Sequence, residues 1–133
     1  MKRFAVTILI LGCIAACNQN PKAIKDPNDT SEMALAMREM YDELLIVKKD
    51  IEGNKTLSGK SFDFPPIDNM EPTDSSFIKP GFKENSAAFS KAIELFNEAP
   101  TVEGYRALVM GCTTCHKAIC PGPLVRIENL EIN

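Results

Sequence analysis

The chain has a single histidine, no excess of basic residues, and no apolar run approaching the roughly 20 residues that a membrane-spanning helix requires. One imidazole, at His116, rules out any metal centre that draws two histidines from this chain. The balance of 15 Lys and Arg against 18 Asp and Glu, a formal charge of −3, disfavours nucleic acid as a partner and leaves no polybasic patch for an anionic membrane surface. Strand-length alternation of apolar and polar residues is missing, and so is any internal repeat, which argues against sheet and solenoid architectures. No general acid or nucleophile stands out in a pattern that catalysis would need, so an enzyme is not expected.

What the chain does have is concentrated in one pentapeptide. Cys112-Thr113-Thr114-Cys115-His116 spells C-x-x-C-H, the attachment signature of c-type haem. Two thiols one helical turn apart can add to the two vinyl groups of a porphyrin, and the histidine directly after the second coordinates iron from one face. From the chain's own composition the pattern arises by chance about once in a thousand such sequences, so coincidence is a weak account of it.

Three other readings use the same atoms. A zinc site would recruit Cys112, Cys115, His116 and Cys120, but adjacent Cys115 and His116 diverge along a helix and do not readily fill two corners of one tetrahedron. A thioredoxin-like dithiol wants its first cysteine at the start of a helix that follows a strand, whereas Cys112 sits late in a helical pattern with no strand before it. Two packed thiols beside an ordinary histidine are the plain alternative. One covalently bound haem c, with its iron, is the cofactor expected from the spacing.

The N-terminus supplies a compartment. Met1-Lys2-Arg3 is a charged start, and the 13 residues from Phe4 to Ala16 are uncharged and mostly apolar, which is the form of an export signal. Ile14-Ala15-Ala16-Cys17 resembles the lipobox of bacterial lipoproteins, and the resemblance implies that Cys17 is lipidated and becomes the first residue of the mature chain. Cys13 is the alternative, but it would shorten the apolar region to nine residues. Asn18 after the cysteine, in place of an aspartate, implies by the same resemblance the periplasmic side of the outer membrane rather than the inner. Removing Lys2 and Arg3 leaves 13 basic against 18 acidic side chains, a formal charge of −5, which suits a soluble protein or one with a basic redox partner. With Cys13 cleaved, Cys17 acylated and Cys112 and Cys115 bound to haem, Cys120 is left as a lone thiol.

The expected domains are a lipoprotein signal peptide over 1–16, a lipidated tether over 17–30 containing Pro21 and Pro27, and a mono-haem domain over 31–133. Met33, Met37, Met40, Leu44, Val47 and Ile51 recur at steps of four and three, which predicts one face of a helix capped by Asp29, Thr30 or Ser31 and stopped by Gly53. Pro65, Pro66, Pro72 and Pro80 forbid a long regular element over 53–81, so Leu57, Phe62, Phe64, Ile67 and Phe77 are expected to pack from a loop onto something apolar, such as a haem face. A second helix is predicted over Lys83 to Glu98, with Ala88, Phe89, Ala92, Ile93, Leu95 and Phe96 along one side. A third runs from a Thr101 cap to about Ile119, with Cys112 and His116 on one stripe, and the tail from Leu124 is expected to lie across the others. The fold class is therefore all-α.

Helices with the haem motif near the end of the last one make the chain similar to the cytochrome c-prime group, and the resemblance implies an antiparallel helical bundle. It covers roughly residues 31–123, with Cys112, Cys115 and His116 as its specific matches. The usual second helix is largely replaced by the proline-rich loop, and a homodimer is left open. The resemblance also implies two arrangements at the iron's sixth position, either an open distal face or a methionine from the first helix. In an antiparallel bundle the end of the last helix lies beside the start of the first. That brings Met37, then Met40 or Met33, into range as a soft ligand suited to electron transfer. Arg38, Arg106 and Arg126 are candidates to pair with haem propionates. The leading expectation is an exported, lipid-anchored, mono-haem electron carrier working with a redox partner of the periplasm or envelope. The alternatives are a five-coordinate haem protein that binds small gases and a haem-free metal-binding lipoprotein.

Overall fold

The first helix begins where Ser31 turns its hydroxyl back to accept the Ala34 N–H at 3.2 Å, so of the three residues able to cap it Ser31 is the one that does. This is a computed structural model that describes residues 30–132. The expected signal peptide over 1–16, Cys17 and the tether up to residue 29 lie outside the described residues. Helix α1 spans Glu32–Glu52, α2 Phe82–Glu98, α3 Val102–Ile119 and α4 Leu124–Glu128. No strand occurs among the described residues, and no helix there is long and apolar enough to cross a membrane.

Each long helix forms where its periodicity predicts one, α1 and α3 with side-chain N-caps and α2 with Gly81 at its N-cap and no side-chain cap bond. Met33, Met40, Leu44 and Val47 are buried along α1, and Gly53 closes it with its N–H on the Lys49 carbonyl at 3.0 Å. Phe82, Phe89, Ile93 and Phe96 are buried on α2. Its apolar face is narrower than the sequence predicts, because Leu95 is 54% exposed and Ala88 also faces solvent. On α3, the Thr101 hydroxyl accepts the Gly104 N–H at 3.0 Å, and Tyr105, Leu108, Val109 and Ile119 are buried. Burying a residue such as Phe96 or Leu108 contributes roughly 1.5–3 kcal/mol.

The closest helix pair rests on two glycines that the sequence reading left unused. A Cβ placed on Gly104 would lie 3.1 Å from the Phe96 ring, and one on Gly111 would lie 3.2 Å from the Phe89 ring. The two glycines are seven apart on α3, and the two phenylalanines are seven apart in the opposite order on α2. These helices therefore run antiparallel and approach through bare backbone.

Between α1 and α2 the chain makes only two short 3-10 turns, Ile67–Asn69 and Ser75–Phe77, as its prolines require. Asn97 fastens this segment to α2 by accepting the Phe62 N–H and donating to the Phe62 carbonyl, both at 2.8 Å. Phe62 then stacks on Phe64 at 4.9 Å and tilts against Phe96 at 5.0 Å. Asp50, at the far end of α1, is buried between Lys55 at 2.8 Å and Lys60 at 2.6 Å.

One expectation needs correcting. The helix that bears the C-x-x-C-H motif is the last long one but not the last, because α4 follows it. Pro121 ends the hydrogen-bonded ladder of α3, but the apolar residues beyond it have somewhere to go: Ile127, Leu130 and Ile132 are all buried. Side chains on α1 and α3 hold this tail by its carbonyls. Lys48 bonds that of Asn129 at 2.9 Å, Tyr105 that of Leu130 at 2.8 Å and Arg106 that of Ile132 at 3.0 Å.

Two predictions follow from these contacts. Tyr105 is fully buried and burial pushes its phenol well above the ordinary value, so it stays a neutral donor. Tyr105→Phe leaves the Leu130 carbonyl unpaired and is expected to cost about 1–3 kcal/mol in urea unfolding. The Lys55 and then the Lys60 hydrogen bonds hold the Asp50 carboxyl down at about 2, from an ordinary 3.8. A lowered folded-state value makes that stabilisation fully present above about pH 4 and lost as pH falls through about 2. Asp50→Asn should therefore melt below the parent at neutral pH, with the gap between the two closing from pH 4 to pH 2.

Candidate functional site

The start of α1 and the end of α3 do not close on each other. They bound a cavity of about 570 Å³ with mainly apolar walls, completed by the 3-10 turns, the start of α2 and the tail. Gly111, Cys112, Cys115, His116 and Ile119 line it from α3. Met33, Met37, Met40, Tyr41 and Leu44 line it from α1. Cys112, Cys115 and His116 and all three candidate methionines therefore share one space.

The segment 53–81 divides its apolar residues. Ile67 and Phe77 line this cavity, as expected. Phe62 and Phe64 do not; together with Leu57 they belong to the core that contains Phe96.

His116 is held in one tautomer. Its Nδ1 lies 2.9 Å from the Cys120 carbonyl. A carbonyl only accepts, so Nδ1 carries the proton and donates, and Nε2 is left with its lone pair. This is the orientation that a metal-ligating imidazole takes from an outer-shell partner. The cause is in the sequence. Cys120 precedes Pro121, which disfavours the helical conformation for the residue before it, and Cys120 adopts φ −143 and ψ 79. Leu124, whose N–H would serve the Cys120 carbonyl in a continuing helix, donates instead to Pro121 at 3.1 Å.

The thiols are partly buried and free. Burial pushes Cys112 up to about 12, and burial with the nearby Cys120 thiol pushes Cys115 up as well. A redox dithiol works through a lowered thiol pKa, usually at a helix N-terminus. These cysteines lie at the opposite end of their helix with shifts of the opposite sign. Nor is a zinc site assembled: among the described residues no three His, Cys, Asp or Glu side chains are grouped to hold a metal ion.

Polar groups gather at one rim. Arg38 and Arg126 both line the cavity, with Arg38 bonded to the Thr30 hydroxyl at 3.2 Å. Arg126 lies over the Tyr41 ring at 4.2 Å and 3.6 Å from Asp42. Arg106 lines a different hollow and ties down the tail, so it is not placed for this site. Deeper in, Ser86 and Asn85 are already satisfied by Asp68 and the Gly81 carbonyl.

The donor set and the space fit a porphyrin. The volume lies within the roughly 300–1,000 Å³ of ordinary ligand pockets. Two thiols and an imidazole line one wall, thioethers line another, and guanidinium groups stand at an edge. Sequence reasoning missed Gly111, whose missing side chain lets α2 approach beside the motif. It also missed the Cys120 carbonyl, for which Pro121 was the available signal. Compared with known proteins, the chain matches no family model, no curated protein and no solved structure.

Proposed function

We propose that this protein is an exported, lipid-anchored, mono-haem c-type cytochrome that carries electrons, folded as an antiparallel helical bundle similar to the cytochrome c-prime group. The observation that carries this reading is the meeting of Cys112, Cys115 and His116 with Met33, Met37 and Met40 around one apolar cavity. Bound there, haem would supply a one-electron ferric/ferrous couple.

The chain's own residues do the remaining work. Cys112 and Cys115 form the thioether bonds, and His116 presents Nε2 as the proximal ligand. Met37 is the first choice for the sixth ligand. Met33 and Met40 are buried at 7% and 5% exposure, whereas Met37 packs against the core while only partly buried. Met40 and then Met33 are the alternatives. Arg38 and Arg126 stand where propionates would meet solvent. The apolar walls keep water from the centre, which sets the local dielectric and hence the potential. Lipid on Cys17 holds the protein at the periplasmic face of the outer membrane, within reach of a redox partner in the envelope.

Two outcomes test this. Protein matured in a bacterium with haem-ligation machinery is expected to gain the mass of one haem and acyl chains, and to keep a haem stain on a denaturing gel. The Cys112→Ser/Cys115→Ser variant should lose that stain. A colourless parent with both thiols open to alkylation overturns the proposal. The visible spectrum of the parent should be low-spin and unmoved by carbon monoxide, and Met37→Ala should turn it high-spin and responsive. A parent that is already high-spin and shifts with the gas favours the five-coordinate, gas-binding reading instead.

A further inference from the structure

The proline-rich segment delivers a cation to the end of the helix that bears the motif. Lys79 Nζ donates to the Ile119 carbonyl at 3.1 Å. The next carbonyl along, that of Cys120, is the one that accepts from His116 Nδ1. Lys79 is itself fixed in a tight turn, its N–H on the Phe77 carbonyl at 2.9 Å and its carbonyl accepting from the Phe82 N–H at 3.0 Å. Phe77 and Phe82 both line the cavity, so backbone hydrogen bonds tie the residue that carries the cation to two residues of the wall.

We infer that Lys79 is a positioning residue that fixes the end of α3 beside the His116 hydrogen bond and biases the bound group toward its reduced state. This rests on the haem reading. A hydrogen bond from the imidazole to a carbonyl makes the ring a stronger donor to metal. A cation one peptide unit away weakens that carbonyl as an acceptor and so moderates the effect. The same charge repels the additional positive charge of the oxidised centre, with an energy reduced by solvent because Lys79 is exposed. The exposed carbonyls at a helix C-terminus carry partial negative charge, which on its own would favour the oxidised form. Lys79 offsets it, so both consequences of its charge raise the reduction potential.

The test is a spectroelectrochemical titration of the full-length, haem-loaded protein. Lys79→Gln and Lys79→Met, which keeps the aliphatic stem, should each shift the redox equilibrium about three- to tenfold toward the ferric form, tenfold being 59 mV for one electron. Lys79→Arg should retain the parent potential. So should Lys91→Gln, which removes a charge paired with Glu94 on α2. A haem-loaded parent whose potential is unchanged in both neutral variants overturns the inference and leaves the haem reading standing. An equal drop in Lys91→Gln also overturns it, because net charge alone would then explain the shift. A parent without haem overturns both.

Discussion

The rings of Phe89 and Phe96 rest where α3 has no side chains, and the geometry of the site follows from that contact. Because Gly111 and Gly104 must face α2, the rotation of α3 about its axis is settled. At about 100° per residue, Cys115, Cys112 and His116 stand about 40°, 100° and 140° round from Gly111. They point into the quadrant beside α2, where α1 lies. Larger residues at the two glycines would push α2 outward and release that rotation, so these positions govern where the thiols and the imidazole point.

The same arrangement leaves an apolar-walled space, open to solvent at one side, between the start of α1 and the end of α3. Protein cores are normally filled to crystal-like density, with few voids larger than a water molecule. Apolar walls give water few hydrogen-bond partners. The chain nevertheless builds this space with good caps, satisfied polar groups and a tail stitched down by Lys48, Tyr105 and Arg106. The proposed haem is flat, mostly apolar and polar at one edge, which matches the apolar walls and the arginine rim.

The all-helical class and the three long helices were legible in the sequence because each rests on local information: a period near 3.6 in all three, Ser31 before α1 and Thr101 before α3, and a Gly or Pro after each. The pentapeptide was legible for the same reason. What was not legible depended on distance along the chain. Leu95 has the periodicity of a core residue, yet α3 and the loop together cover too little of α2 to bury it. Arg106 is as plausible a propionate partner as Arg126 by residue type, and only the path of the tail separates them. The division of labour among Phe62, Phe64 and Phe77 turns on Asn97, 35 residues beyond the backbone it clamps. The small helix α4 is not recognisable in the sequence because five residues carry too little periodicity.

His116 illustrates how a local rule becomes a chemical one. Being the only histidine, it must serve any imidazole-dependent role alone, and a neutral ring left to itself would place its proton on either nitrogen. Pro121 removes that choice. By forcing Cys120 out of the helix it frees a carbonyl four residues from the ring, and that carbonyl can be satisfied only by a donor. The proton goes to Nδ1, and Nε2 is left as the nitrogen that would ligate iron in the proposed centre without a carboxylate being brought into an apolar site. A carboxylate partner would make the imidazole more basic and favour the oxidised iron. A backbone carbonyl gives a milder push, and the ammonium of Lys79 beside it reduces that push further. The chain end that looks like a simple helix stop is therefore also the place where the electronic character of the proposed centre is set.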